Sequence, residues 1–338
     1  MRIFLFNFAV VNLKNNYLFD NVIRYLHKYN IKKILIIKYN NFKINFDILK
    51  EYKINYKVVS AVDNRNLYQN LIYYKNFLPN FFFSIDTNYF LNFNLFDLQL
   101  KYKKKPNKFF YFGNNSHNFG LYLFDKKKIN FYQQIAIRNF KSKNCIKIKY
   151  DNSDLLVLDK KITKRKVIKY FNKINLKTII LDRDGVINEN YGYVGEIKKF
   201  KWVEGAIQAI KYFNKKKYNI FIVTNQSGVA RGFFSETEVQ FLHQFIKDQL
   251  SKNYSYVNQI YYCPFHPKAK IKKYKKNSIN RKPKIGLFLK IKKDWFINSK
   301  NTFMIGDQNS DIEFANNCKI KGFLFNEKNL FKFSQKYF

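Results

Sequence analysis

Glycine is nearly missing from the front of this 338-residue chain: of its 11 glycines, only Gly113 and Gly120 precede Gly185. Residues 1–20 hold none, which excludes a glycine-rich loop near the start whose backbone could approach phosphates closely. Cysteine is scarce as well. Cys145, Cys263 and Cys318 are odd in number and widely spaced, which excludes a disulfide-built scaffold and points to a reduced, cytoplasmic setting. No apolar run reaches the roughly 18 residues of a membrane span, so no membrane partner is expected. The opening MRIFLFNFAVVNL is broken by Asn7, has only Arg2 as a basic n-region and is followed by no small-residue cleavage site. A first strand is expected there rather than a signal peptide. Acidic charge is short too, with 23 Asp and Glu against 63 Lys and Arg, a net +40. That balance suits a polynucleotide. Yet the excess is almost all lysine, with only eight arginines, and Lys, Asn, Ile, Phe and Tyr are enriched together along the whole chain. A general compositional drift accounts for this pattern, so nucleic acid is not expected as a partner.

What is present is enough apolar matter for a real core, 46% of residues, in a length that suggests roughly two domains. The composition shifts across KKITKRKVIKYFNKINLK, residues 160–177. We therefore expect domains at 1–160 and 177–338, joined by a basic linker over 161–176. After the linker, strand-like and helix-like segments alternate: TIILD, a helix over 205–216 with Ile207, Ile210 and Phe213 at helical spacing, then NIFIVTN. Next comes SETEVQFLHQFIKDQL, whose Ser235 and Glu238 make a capping box, followed by QIYYC, TFMIGD and a helix opening at NSDIEFANN. Alternating βα units predict an α/β fold with a Rossmann-like, doubly wound parallel sheet, whose ligands sit at the carboxyl ends of the strands.

Those ends are where the chemistry-bearing residues fall. Asp182-Arg183-Asp184-Gly185 follows the first strand, Thr224-Asn225-Gln226-Ser227-Gly228 the second, and Gly306-Asp307 with Asp311 the last; Arg281-Lys282-Pro283-Lys284 stands between the latter two. Any one of these alone is an ordinary turn or helix cap. Together, side by side in one sheet, they predict a mouth where Asp182, Asp184, Asp307 and Asp311 gather hard oxygen ligands suited to Mg²⁺. Thr224, the amides after it and Lys282 would face an anion there.

The ordered set resembles the haloacid dehalogenase-like phosphohydrolases. The longer strings LDRDGVINENYGYVGEIKKFKWVEGAIQAI, VTNQSGVARGFFSETE, YYCPFHP, RKPKIGL and MIGDQNSDI narrow the likeness, over about residues 177–325, to the D-glycero-D-manno-heptose 1,7-bisphosphate phosphatases. The resemblance implies that Asp182 is the nucleophile that forms an aspartyl phosphate and Asp184 the general acid and base. It implies Mg²⁺ held by Asp182, the Asp184 carbonyl and Asp307, with Asp311 one shell further out. Thr224 and Lys282 would grip the transferring phosphoryl. Asn190, Tyr191, Gly192, Tyr193, Asn225, Gln226, Ser227 and Arg281 would touch substrate, and Arg231 would reach a second phosphate. In so lysine-rich a chain, arginine at 183, 231 and 281 suggests that the planar bidentate fork matters at these places.

The pattern also breaks. Relatives commonly carry a zinc loop of Cys-x-His and Cys-x-Cys before the Arg-Lys-Pro. Here Cys263 remains, while Phe265, Ser278 and Asn280 stand at the other positions and His266 is one residue out of place. One ligand of four predicts no zinc. KAKIKKYKK then reads as a solvated or mobile lysine run, and Gln308 replaces a common lysine, so activity could be reduced. His27, His117 and His243 sit in no metal-like spacing and are expected to be ordinary surface or core residues.

In residues 1–160, NNYLFDNVIRYLHKYNIKKILIIKYN predicts helix then strand, and PNFFFSIDTNYFLNFNLFDL a strand ending on Asp86. This order is similar to the sugar-phosphate nucleotidyltransferases, in which a comparable aspartate holds the metal. Lacking the glycine loop, the front half is expected to be a degenerate α/β domain of that kind. The combined expectation is a phosphatase that converts heptose 1,7-bisphosphate to heptose 1-phosphate, on the way to nucleotide-activated heptose for lipopolysaccharide, with a small phosphorylated sugar as partner. The alternatives are a histidinol-phosphate phosphatase, a bifunctional nucleotidyltransferase/phosphatase, and a nucleic-acid-binding protein on a vestigial phosphatase fold.

Overall fold

A computed structural model of the chain describes residues 7–14, 18–39, 43–62, 66–87, 89–91, 94–104, 109–113, 118–128, 145–147, 155–157 and 176–338. Residues 1–6 of the expected first strand, His117, and the expected linker up to residue 175 lie outside these. The chain divides into two compact units, 1–166 and 167–338. Among the described residues no helix is long and apolar enough to cross a membrane.

In the first unit, β1 (Phe8–Leu13), β2 (Lys33–Lys38), β3 (Asn55–Ser60) and β4 (Phe81–Asp86) run parallel in the order β3-β2-β1-β4. A short pair, β5 (Tyr89–Leu91) with β9 (Leu155–Val157), is antiparallel. The main sheet continues through β7 (Asn118–Asp125), antiparallel to both β4 and β6 (Phe109–Gly113), and ends on β8 (Cys145–Lys147). β1 and β2 are apolar on both faces because the sheet is covered on both, as parallel pairing requires. The helix Phe19–Lys28 buries Phe19, Val22, Ile23 and Leu26, the 3.6-residue stripe that its sequence predicts. Asp86 closes β4 in a buried position, where Lys14 Nζ meets its Oδ2 at 2.8 Å. Burial raises the Asp86 pKa, and Lys14 opposes that shift.

In the second unit, β10 (Thr178–Leu181), β11 (Asn219–Asn225), β12 (Gln259–Cys263), β13 (Thr302–Gly306) and β14 (Lys321–Leu324) form one parallel sheet in the order β12-β11-β10-β13-β14. Alternate residues of each strand feed two separate cores. Ile179, Leu181, Ile220, Ile222 and Ile305 pack on one face with the helices Ala206–Lys215, Glu236–Lys252 and Leu330–Tyr337. Ile180, Phe221, Val223 and Met304 pack on the other with Gly286–Asp294 and Asn309–Asn317. This period of two is the physical origin of the doubly wound arrangement. The expected capping box forms: Ser235 Oγ accepts from Glu238 N at 3.1 Å, and Glu238 Oε2 accepts from Ser235 N at 2.7 Å.

Candidate active site

β10, β11 and β13 lie side by side, so their carboxyl ends bring Asp182, Thr224 and Asp307 to one cavity of about 410 Å³. The Asp182 amide donates to the Ile305 carbonyl at 2.9 Å, which ties the end of β10 to β13. The next turn needs a glycine. Gly185 has φ +88°, and a Cβ there would stand 2.1 Å from Asp307 Oδ2. That close approach lets two distant carboxylates share one corner.

Lys282 is the pivot of this corner. Its Nζ lies 2.6 Å from Asp182 Oδ1 and 2.6 Å from Asp311 Oδ1, and all three residues are buried. Ligand oxygens of Asp182, Asp307 and Asp311 fall within 4.8 Å of one another. Asp307 Oδ1 is buried without a hydrogen-bond partner, while its Oδ2 accepts from Gln308 Nε2 at 2.9 Å. Burial pushes Asp182 above the usual carboxylate range; Lys282 opposes this, and Asp311 and Asp184 add to it. Burial alone would lower Lys282, but Asp182 and Asp311 outweigh it and hold the ammonium above its ordinary value. Three carboxylates against one ammonium leave an excess of acidic groups, two of them buried, and an orphaned acceptor in such a place suits a hard cation. Asp311 lies within this cluster of acids, on the far side of the Lys282 ammonium from Asp182.

Asp184 points elsewhere within the same cavity. Arg183 Nη2 donates to both its oxygens at 2.8 and 2.9 Å, Asn188 Nδ2 to Oδ1 at 2.9 Å and Gln226 Nε2 to Oδ2 at 2.8 Å. Gln226 Nε2 also reaches Thr224 Oγ1 at 2.9 Å. Asn225 faces Lys282: its Nδ2 donates to the Lys282 carbonyl at 3.1 Å, and its Oδ1 accepts from the Lys282 amide at 3.0 Å. Asn225 and Gln226, expected to touch substrate, line the cavity while their amides are engaged with the residues around them. Asn190, Gly192, Tyr193, Ser227 and Arg281 line the cavity. Tyr191 does not; it is exposed and its hydroxyl donates to Glu189. Arg231 also lies off the wall, stacked over the Tyr193 ring at 5.7 Å. Gly228, Gln308 and Ser310 line the cavity as well, all three within motifs the sequence marks.

The HAD-hydrolase-like family model matches residues 279–327. The D-glycero-beta-D-manno-heptose-1,7-bisphosphate 7-phosphatase of Rhodopseudomonas palustris is 41% identical over 145 residues, which are 43% of this chain and 81% of that protein. The chain belongs to the heptose-1,7-bisphosphate 7-phosphatase family. A solved D,D-heptose 1,7-bisphosphate phosphatase from B. bronchiseptica, complexed with magnesium and phosphate, is 25% identical, with a TM-score of 0.41 over 48% of this chain and 86% of that one. A Bacillus anthracis structure described as a glucose-1-phosphate thymidylyltransferase is 10% identical, with a TM-score of 0.34 over 43% of this chain and 87% of that one.

In this member of the heptose-bisphosphate phosphatase family, the loop between β12 and the Arg-Lys-Pro is pinned by hydrogen bonds and packing. Tyr262 and Tyr274 donate to the two oxygens of Glu236 at 2.8 and 3.0 Å, and Tyr274 is buried beside Phe265. Cys263 is a buried free thiol that burial pushes up in pKa, and Ser278 Oγ accepts from the Asn280 amide at 3.1 Å. The lysines of KAKIKKYKK stand exposed around that pin. Two residues to which the sequence assigned no role matter here, Asn188 and His243. His243 lies on the core stripe with Val239, Leu242 and Ile246, a position that could have marked it as buried.

Burial, with Arg183 and Lys247 adding to it, holds the His243 imidazole well below its ordinary pKa of 6.5, so it is neutral in the fold. The unfolded chain takes up a proton at this residue below about pH 6.5. Its contribution is therefore full above that pH and is lost as the medium is acidified. Denaturant midpoints at pH 7.5 and 5.0 check this: His243→Gln is expected to weaken the acid loss of stability, by up to about 1.4 kcal/mol per pH unit. Equal pH slopes for both proteins would contradict it.

Proposed function

We propose that this chain is a Mg²⁺-dependent phosphatase that removes the 7-phosphate of D-glycero-D-manno-heptose 1,7-bisphosphate and releases heptose 1-phosphate. The observation that carries the reading is the convergence of Asp182, Asp307 and Asp311 at the strand ends, with Lys282 between the first and the last, in a chain of that family. Asp182, Asp307 and the Asp184 carbonyl would hold the ion, with Asp311 beside them. Mg²⁺ suits this all-oxygen set, and when bound it would neutralise the carboxylates that an anionic phosphoester must approach.

The chain's own residues supply the rest. Lys282 and Thr224 hold the transferring phosphoryl, where fixed positive charge and a hydroxyl lower the barrier. Asp182 attacks phosphorus; a bond from its carboxylate oxygen forms as the bond to the sugar oxygen breaks, and Asp184 gives that oxygen its proton. Asp184 then takes a proton from water as the water attacks the aspartyl phosphate, and inorganic phosphate leaves. Tyr193, Asn190 and Arg281 bound the side on which the sugar would lie.

Phosphate release from heptose 1,7-bisphosphate and histidinol phosphate, each with Mg²⁺ or EDTA, tests the reading. Release from the heptose compound with Mg²⁺ alone is expected. Release from histidinol phosphate instead, or equal rates in EDTA, would overturn it. The Asn225 amide pair gives a further expectation. Asn225→Ala frees the Lys282 backbone at a cost of about 1 kcal/mol per hydrogen bond, so kcat should fall roughly tenfold or more while the fold persists. An unchanged kcat would show that Lys282 holds its place without this pair.

We read the first unit as a degenerate transferase-like domain without turnover. Lys14 already neutralises the Asp86 carboxylate that a metal would need, which supports the reading. A cytoplasmic setting suits the free thiols Cys263 and Cys318.

A further inference from the structure

Arg183 is the largest fully buried side chain of the second unit, at 0% exposure. A guanidinium taken out of water costs several kcal/mol unless every donor is matched, and an apolar side chain would fill the same space without that cost. Its neighbours are unusual in type. Nε and Nη2 donate to the adjacent residue, Asp184, at 3.2, 2.8 and 2.9 Å. Nη2 also reaches Gln226 Oε1 at 3.1 Å and the Val194 carbonyl, and Nη1 lies 3.4 Å from His243 Nε2.

Consecutive side chains of an extended strand point to opposite faces. Arg183 and Asp184 can meet only because the chain turns at once. The Arg183 carbonyl accepts from Ile187 and Asn188 at 2.8 and 3.0 Å, and Gly185 lies in the left-handed region at φ +88°. A planar fork on one carboxylate fixes its plane as well as its place, which a lysine would not do. His243 completes the arrangement from the helix Glu236–Lys252. A neutral imidazole can accept from Nη1, whereas an imidazolium, having donors only, would repel it. Arg183 is not among the residues of the cavity wall, while Asp184 is.

We propose that Arg183, backed by His243, is a positioning residue that sets the carboxyl plane of Asp184 for proton transfer to and from the sugar oxygen and the attacking water. The proposal rests on the acid/base reading of Asp184 given above. Arg183 acts only through Asp184 and touches neither phosphorus nor sugar.

The test is a double-mutant cycle on the full chain with heptose 1,7-bisphosphate and Mg²⁺, using Arg183→Lys, Asp184→Asn and the pair. Arg183→Lys is expected to lower kcat on the order of tenfold to a hundredfold with KM nearly unchanged, and to have no further effect once Asp184 is asparagine. If Arg183→Lys lowers both backgrounds by the same factor, or leaves kcat intact, the proposal fails and Arg183 is structural filler. If Asp184→Asn itself keeps full kcat, the acid/base reading fails instead. His243 gives an arm that spares the buried charge: His243→Phe, which removes the acceptor, should lower kcat more than His243→Gln, which restores one, at matched melting temperatures. Equal kcat in these two variants would also overturn the proposal.

Discussion

Asp182→Asn is expected to abolish phosphate release, a loss of roughly 10⁴-fold or more, while the protein still folds. The amide is isosteric with the acid but is a far weaker nucleophile, so the covalent step has no alternative route through this atom. The fold should survive because the amide oxygen of the substituted side chain can still accept from Lys282, which lies 2.6 Å from the native carboxylate oxygen. The substitution also removes the repulsion that Asp182 has with Asp311 and Asp184. Phosphate release and a melting curve on the same sample check both halves. Residual turnover within tenfold of wild type would move the nucleophile elsewhere.

Lys282→Met should be the most damaging single change to stability in the site. The ammonium is 4% exposed and lies between Asp182 and Asp311, which are 7% and 1% exposed. Removing one partner of a buried ion pair costs about 3–5 kcal/mol, because the charges left behind have neither solvent nor counter-ion. Two carboxylates would be stranded here, so the upper end of that range is expected. A divalent cation binding only the folded state would restore part of the loss by mass action. The melting temperature of Lys282→Met should therefore rise with millimolar Mg²⁺ by more than that of the wild type. A variant that melts like the wild type without metal would mean that the ammonium offsets little of the carboxylates' burial.

Much of the second unit was legible because its signals are local. Alternating apolar runs marked the strands, Ser235 and Glu238 marked a helix start, and Asp182 and Asp307 stand where strands must end. The direction in which a side chain turns was not legible. Asn225 and Gln226 carry amides that serve a sugar or a neighbouring backbone equally well, and only the fold reveals that Asn225 clamps Lys282 and Gln226 holds Asp184. Tyr191 and Tyr193 differ by two positions, yet one hydroxyl is spent on Glu189 while the other ring meets the cavity. The burial of Asp311 depends on how the helix Asn309–Asn317 docks, which no spacing encodes. In the first unit, strands such as β6 and β7 escaped notice because 20% aromatic content blurs the two-residue alternation that would have marked them.

The Glu236 pin carries a consequence for handling and for evolution. Arg281 and Lys282 follow a loop held in part by the Tyr274 phenol, which shares the Glu236 carboxylate with Tyr262 of β12. Such an anchor ignores redox poise and trace-metal supply, so zinc starvation or mild oxidation should leave the placement of Arg281 and Lys282 intact. The dependence shifts to the first turn of the helix Glu236–Lys252, where losing the one carboxylate of Glu236 would remove the acceptor of both hydroxyls at once.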